Sequence, residues 1–219
     1  MRPETRRITE WLPLAAIIFA YEAAGWVSRR MARPLSDGFL QEWDLRLFSV
    51  MPGVWMQQRL PRPALDGLEL FYFSYYIFVP LAPWLLLRRN GEKEFWRLWI
   101  CAGLGYLVCD LLFPWFPSTP PRRLWPEFAA GGTPQVMNLL VLDRFSVGGN
   151  VFPSAHVAAT LSMALSHGRS SRWWFLPWAL GIALSTVSGG YHYGVDAVCG
   201  MAVGAAAEWA GTHILRRWS

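Results

Sequence analysis

The chain has 219 residues, of which 53% are hydrophobic and only 16% are charged. Soluble domains average about 45–50% apolar and about 25% charged residues, so the composition argues against a water-soluble globule, and three cysteines are too few for a disulfide scaffold. The net charge is +5, but no long basic run interleaves with stacking aromatics, which argues against nucleic acid as a partner. With 14 Trp and 7 Tyr, residues that favour the membrane interface, these numbers predict an integral membrane protein.

Six apolar segments approach the roughly 20 residues that a helix needs to cross a bilayer. They predict an all-α protein, in which residues 1–219 form a single membrane-embedded domain built as a six-helix bundle. Glu22 and Asp110 fall inside two of the segments, and each is expected to face the bundle interior or a polar cavity. The segments are residues 11–28, 68–87, 95–115, 152–168, 173–189 and 195–215.

The segment between the first two spans, residues 34–65, has apolar residues near helical spacing among charged ones. This pattern predicts an amphipathic helix lying at the membrane interface. Prolines divide the segment and are expected to break the helix into pieces; they are Pro34, Pro52, Pro61 and Pro63.

The distribution of arginines between short loops predicts that both termini are cytoplasmic. Residues 116–151 and 189–194 then share the outer face, and a bacterial inner membrane is the expected location. A signal peptide is the alternative interpretation of the first segment, but Glu22 within the segment argues against it.

The stretch from Gly148 to His156 has the features of an anion site. Ser154 precedes an apolar helical run and is suited to be its N-cap, which places His156 in the first turn, where free N–H groups and the helix dipole favour anions. Gly148 and Gly149 would let the backbone approach a phosphate closely. The alternative is a capped helix with an interfacial histidine and no ligand.

A second stretch places His192 four residues before Asp196. At the start of a helix these residues would share a face, so that the carboxylate accepts the Nδ1 proton and leaves Nε2 as a nucleophile or base. On its own, this spacing also fits an ordinary surface hydrogen bond.

A third stretch holds Arg122 and Arg123 directly after Pro120 and Pro121. The planar fork of arginine matches phosphate oxygens, although an anchor for lipid headgroups would use the same residues.

Taken together, the three stretches predict phosphoryl transfer, which depends mainly on positioning and on cations around the phosphate. The competing interpretation makes His156, His192 and Asp196 ligands of zinc or iron. An adjacent arginine and a helix N-terminus would repel a cation, so we expect neither a metal nor another cofactor.

The three stretches, in this order, resemble the signature motifs of the type 2 phosphatidic acid phosphatase superfamily over roughly residues 65–215. The stretch Pro153–His156 is similar to its Pro-Ser-Gly-His motif, and Ser185 with His192 and Asp196 is similar to its third motif, S-R-x5-H-x3-D. The chain departs from the superfamily pattern at three positions: the first motif's lysine is Trp115, its proline is Arg123, and the third motif's arginine is Thr186. The P-x-T-P-P-R and H-Y-x-x-D forms look closer to the inositol phosphorylceramide synthase-like branch, as does the stretch from Trp43 to Gln57.

The resemblance implies that His192 attacks phosphorus to form a phosphohistidine, that Asp196 orients it, and that His156 protonates the leaving group. It implies a membrane lipid phosphate or phosphodiester as substrate, with the phosphoryl group passed to water by a lipid phosphatase. The alternatives are a phosphotransferase that passes a phospho-headgroup to ceramide or diacylglycerol, and a non-catalytic lipid-binding scaffold. The phosphate ligands would be Arg122, Arg123, Ser154, Gly149 and Asn150.

Overall fold

The computed structural model describes residues 9–129, 131–149, 151–167 and 169–217, and every regular element in these ranges is helical. The prediction of an all-α protein is therefore confirmed. The α-helices are α1 (Leu12–Met31), α2 (Asp37–Phe48), α3 (Pro52–Arg59), α4 (Arg62–Asn90), α5 (Glu92–Leu112), α6 (Thr133–Phe145), α7 (Ala155–Ser166), α8 (Arg169–Ser188) and α9 (Gly194–Arg217). Two short 3-10 turns, Pro121–Arg123 and Pro126–Ala129, lie between α5 and α6.

Helix α7 lies at the centre of the fold and packs against α5, α8 and α9. The backbones of α7 and α9 come very close, because a Cβ atom on Gly204 would lie 2.5 Å from the carbonyl oxygen of Ala158. At Gly200, a Cβ would lie 2.6 Å from the carbonyl oxygen of Ser154. Small residues allow such close approach between helices, so these two helices are held at a fixed separation.

By length and hydropathy, two of the described helical stretches are candidates to cross a membrane: Arg62–Leu85 and Glu92–Leu112. Helix α7 corresponds to the fourth predicted span but has only 12 residues, which is about 18 Å of helix against the roughly 30 Å of a hydrocarbon core. The membrane assignment is thus supported for two helices, and the bundle of six spans stays a prediction.

The segment 34–65 contains two helices, α2 and α3, and the first residues of α4, and α3 begins at Pro52. The expected break at Pro52 is confirmed, whereas the break expected at Pro63 is wrong, because this proline lies in the first turn of α4, where no intrahelical N–H bond is lost. One face of α2 is nevertheless buried within the protein, since Leu40 is fully covered and Asp44 is only 1% exposed. Helix α2 packs against α9, and its position therefore bears directly on the residues at the start of α9.

Candidate active site

The N-terminus of α7 is capped as the sequence predicts. The Ser154 hydroxyl oxygen accepts a hydrogen bond from the backbone N–H of Val157 at 3.4 Å, and His156 lies in the first turn. The backbone N–H of Ser154 also donates to the carbonyl oxygen of Asp196 at 3.1 Å. This bond ties the start of α7 to the start of α9, so the two predicted catalytic segments adjoin.

The loop before α7 turns at two glycines, with φ of +68° at Gly148 and +73° at Gly149. L side chains rarely adopt this backbone conformation, and apart from the adjoining residues no atom of the described part of the chain lies within 4 Å of the position that a Cβ would take at either glycine. The carbonyl oxygen of Gly149 accepts a hydrogen bond from Ser118 N–H at 3.0 Å. The loop therefore leaves open space above its backbone, as a ligand-binding loop requires, while Asn150 lies outside the described residues.

His192 and Asp196 face one another, with 3.4 Å between His192 Nδ1 and Asp196 Oδ2. This distance is within ion-pair range but long for a hydrogen bond. The prediction that both residues share one helix face is wrong, because α9 begins only at Gly194. The pair instead meets across the junction between a turn and the helix.

Backbone bonds fix the turn that carries His192. The carbonyl oxygen of Thr186 accepts hydrogen bonds from the N–H groups of Tyr191 and His192, both at 3.0 Å. Asp196 Oδ2 accepts another from the N–H of Tyr193 at 2.9 Å. Thr186, which replaces an arginine of the superfamily motif, thus supports the turn through its backbone.

The rings of His156 and His192 lie edge to face, with 5.7 Å between their centroids. His192 is only 6% exposed, and burial lowers the pKa of its imidazole to about 4, against the opposing effect of the Val151 backbone. The ring is therefore neutral near pH 7. Nδ1 faces Asp196, and the tautomer with its proton on Nδ1 leaves the lone pair on Nε2, the form that a nucleophile needs.

Of the two predicted arginines, Arg122 is half-buried and Arg123 is exposed. The Arg122 backbone N–H donates to the carbonyl oxygen of Gly190 at 2.8 Å, and its guanidinium carbon lies 5.2 Å from the centroid of the Tyr191 ring. Arg122 forms no ion pair with a carboxylate of the described residues, and its buried Nε has no hydrogen-bond partner there. Its charge is thus available to an anion beside the turn that carries His192.

Sequence reasoning missed Asp44 as a residue of this site. Its carboxylate accepts hydrogen bonds from the backbone N–H groups of Gly194 at 2.9 Å and Val195 at 2.6 Å. These are the first N–H groups of α9, so a side chain of α2 caps the helix that carries Asp196. The only sequence signal that included Asp44 was the resemblance of the stretch from Trp43 to Gln57 to the inositol phosphorylceramide synthase-like branch.

An aromatic stack in α4 was also missed. Tyr72 lies parallel to Tyr191, with 4.1 Å between the ring centroids, and its hydroxyl is 3.3 Å from His156 Nε2. The Tyr191 hydroxyl donates to Glu69 Oε2 at 2.7 Å. The available signal was Glu69 itself, because a carboxylate inside an apolar segment marks a functional or packing constraint.

A cavity of about 500 Å³ adjoins His156. Its walls come from α1, α4, α5, α6 and the start of α7, and they are mainly aliphatic and aromatic, with His156 and Tyr75 among the polar exceptions. This volume is typical of small-molecule sites. Glu22 also borders the cavity, but it is exposed and the walls are mainly apolar, so the expectation that it faces the bundle interior or a polar cavity is not confirmed.

The sequence profile of the PAP2 superfamily matches residues 40–210. The match covers well over half of the chain, and the protein therefore belongs to the PAP2 superfamily, the type 2 phosphatidic acid phosphatases and related phosphatase-type enzymes. The resemblance found in the three motifs is confirmed at the level of the superfamily.

The fold is similar to the crystal structure of Aquifex aeolicus LpxE, with a TM-score of 0.56, 16% sequence identity, and coverage of 73% of this chain and 92% of the other. At this identity the likeness establishes a shared fold. Comparison of the sequence with curated proteins finds no significant match.

Proposed function

We propose that the protein is a membrane lipid phosphatase that cleaves a phosphate monoester and passes the phosphoryl group to water through a phosphohistidine. The observation that carries this proposal is a buried His192 that faces Asp196, with the His156 ring 5.7 Å away and Arg122, which pairs with no carboxylate of the described residues, beside the same turn. Membership of the PAP2 superfamily supports the same reaction class.

In the first step, His192 Nε2 attacks phosphorus and the bond from phosphorus to the ester oxygen breaks. His156 passes a proton to the leaving alkoxide, so that a free lipid alcohol departs. In the second step, neutral His156 takes a proton from water, the hydroxide attacks phosphorus, and the bond to His192 breaks to release phosphate. Asp196 stabilises the charge on the His192 ring in both steps.

The phosphate oxygens would be held by Arg122, by the backbone around Gly149 and by the N-terminus of α7 beside Ser154. Asn150 and Arg123 are further ligands in this proposal. The exposed position of Arg123 would let its side chain reach a phosphate only from the solvent side.

A lipid substrate is supported by the cavity that adjoins His156, since its walls are mainly apolar. The hydrocarbon part of the substrate would occupy the cavity while the phosphate lies between the histidines. The protein would then act within a bacterial inner membrane, with both termini in the cytoplasm and the active site at the outer leaflet.

A phosphotransferase is the second candidate, in which a lipid alcohol replaces water as the acceptor. The observation that favours it is again the apolar cavity, because it reaches the histidine that would activate the acceptor. The motif forms of the inositol phosphorylceramide synthase-like branch point the same way.

The test is a product assay with the purified protein in detergent and phosphatidic acid labelled in its phosphate, with and without ceramide or diacylglycerol. We expect free labelled phosphate without an acceptor. Label that enters a new lipid only when an alcohol is present would establish the transferase. Absence of turnover with every lipid tested would favour a non-catalytic lipid-binding scaffold.

Variants assign the roles within this assay. His192→Ala should abolish the acid-labile phosphoenzyme, and Asp196→Asn should lower turnover roughly 10²–10⁴-fold by analogy with triad aspartates. The matched control is His213→Ala, since His213 is an exposed histidine near the other end of α9. A labelled intermediate that survives in His192→Ala would contradict the assignment.

A further inference from the structure

The contact that holds the Arg122 guanidinium is unusual for a half-buried arginine. A half-buried arginine commonly pairs with a carboxylate, but here the guanidinium contacts the face of the Tyr191 ring. The nearby carboxylate, Glu69, interacts electrostatically with Arg122 and accepts a hydrogen bond from the Tyr191 hydroxyl at 2.7 Å. The tyrosine therefore contacts the cation through its ring and the carboxylate through its hydroxyl.

Glu69 is itself firmly placed. It is 5% exposed, and its Oε2 accepts a second hydrogen bond from Asn138 Nδ2 of α6 at 2.6 Å. The same Asn138 amide group donates to the Glu69 backbone carbonyl at 2.9 Å. Helices α4 and α6 thus hold the carboxylate before any substrate arrives.

The Tyr191 ring is held by Tyr72 on one face and by the backbone of Gly189 at its edge. Tyr72 stacks on it, and a Cβ on Gly189 would lie 2.3 Å from Tyr191 Cε2. The ring cannot turn without moving these neighbours, so the position of the guanidinium follows from the position of the ring.

We propose that Glu69 is a positioning residue which, through the hydroxyl and ring of Tyr191, holds Arg122 towards the phosphate while leaving the guanidinium N–H groups free. This inference rests on the proposed function. A direct ion pair would occupy the donors that a phosphate needs. A hydrogen bond from the phenol to a carboxylate makes the ring richer in electrons, and a cation over such a ring is held more strongly.

The probe is inorganic phosphate, titrated calorimetrically into the purified full chain in detergent. Tyr191→Leu should raise the dissociation constant about 2- to 30-fold, the range that corresponds to ~0.5–2 kcal/mol for a cation over an aromatic ring. Tyr191→Phe keeps the ring and should cost less, and Glu69→Gln should shift the constant in the same direction. Glu208→Gln is the matched control, since it removes a carboxylate that pairs with Arg97 at 3.3 Å and should leave phosphate affinity unchanged.

A double-mutant cycle separates positioning from structural support. In an Arg122→Ala background, neither Tyr191→Leu nor Glu69→Gln should weaken phosphate binding further, because the group on which they act is gone. If each substitution lowers phosphate affinity by the same factor with and without Arg122, Tyr191 and Glu69 only support the fold. That result would overturn the proposal. If Tyr191→Leu fails to fold, the cycle with Tyr191→Phe and Glu69→Gln decides.

The outcomes for the proposed function are distinct. A wild-type protein that binds phosphate, shows the coupled loss and hydrolyses no lipid would refute the phosphatase while upholding the positioning network. A wild-type protein that hydrolyses lipid but whose phosphate affinity is unchanged in Tyr191→Leu would refute the network alone. Wild-type protein that neither binds phosphate nor hydrolyses lipid would overturn both, and one that hydrolyses lipid without binding phosphate would overturn the positioning network alone.

Discussion

The carboxylate of Asp44 offers the sharpest test of how the site is held together. Asp44→Ala removes two charge-assisted hydrogen bonds, at 2.9 Å to Gly194 N–H and 2.6 Å to Val195 N–H. Both donors belong to the first turn of α9, two residues or fewer from Asp196, and they are buried where water does not replace the lost acceptor.

The size of the effect follows from these contacts. Two estimates apply to the same pair of bonds and are not added: loss of a helix N-cap costs about 0.5–2 kcal/mol, and two buried N–H groups without partners cost about 1–3 kcal/mol each. The expected value lies between the two estimates. We therefore expect the free energy of unfolding to fall by ~2–4 kcal/mol. At roughly 2–4 °C per kcal/mol for a chain of this size, the midpoint of thermal unfolding should fall by about 4–16 °C.

The assay is thermal unfolding of the purified protein in detergent, with phosphate release measured below the transition. Glu42→Gln is the matched control, because Glu42 lies on the same helix and pairs with Arg46 at the exposed surface. An exposed pair contributes about 0–1 kcal/mol. Equal unfolding midpoints for Asp44→Ala and Glu42→Gln would refute the cap, and full activity in Asp44→Ala would show that the start of α9 does not depend on it.

Two further predictions concern buried ionisable groups. Because burial lowers the pKa of His192 to about 4, from about 6.5 in an unfolded chain, the folded state should lose stability as pH falls from about 6.5 to about 4. Nitrogen-15 NMR of the imidazole, assigned with His192→Gln, should show a neutral ring at pH 5.5, and titration near pH 6.5 would contradict this. Asp110 is 5% exposed and neither of its carboxylate oxygens has a hydrogen-bond partner among the described residues. Asp110→Asn should therefore raise the unfolding midpoint by a few degrees, at ~2–4 °C per kcal/mol, with phosphate affinity unchanged, and a lowered midpoint would show that the carboxylate has a partner.

Local features of the site were predictable from the sequence. The cap at Ser154 and the position of His156 in the first turn depend on neighbouring residues only. The contact between His192 and Asp196 was also predicted, but its geometry was wrong. The chain turns at Gly190, where φ is +65°, and helical geometry resumes only at Gly194.

Contacts between distant parts of the chain were beyond this reasoning. Asp44 lies 150 residues from Gly194, and Glu69 lies 122 residues from Tyr191. Nothing in the local pattern specifies such a partner, because the pairing arises only when helices pack. The contacts of the α4 tyrosines with the site could not be predicted for a related reason. An apolar segment rich in aromatic residues has the same sequence pattern whether its side chains face lipid or a catalytic site.

The close approach of α7 and α9 at Gly200 and Gly204 has an evolutionary consequence. These glycines fix the distance between the helices that carry His156 and Asp196, whereas much of the cavity wall comes from α1, α4 and α6. Of these, α1 lies outside the residues matched by the superfamily profile. Under the proposed function, substitutions in α1 would therefore reshape the chamber for a different hydrocarbon chain without altering the separation of the helices that carry His156 and Asp196.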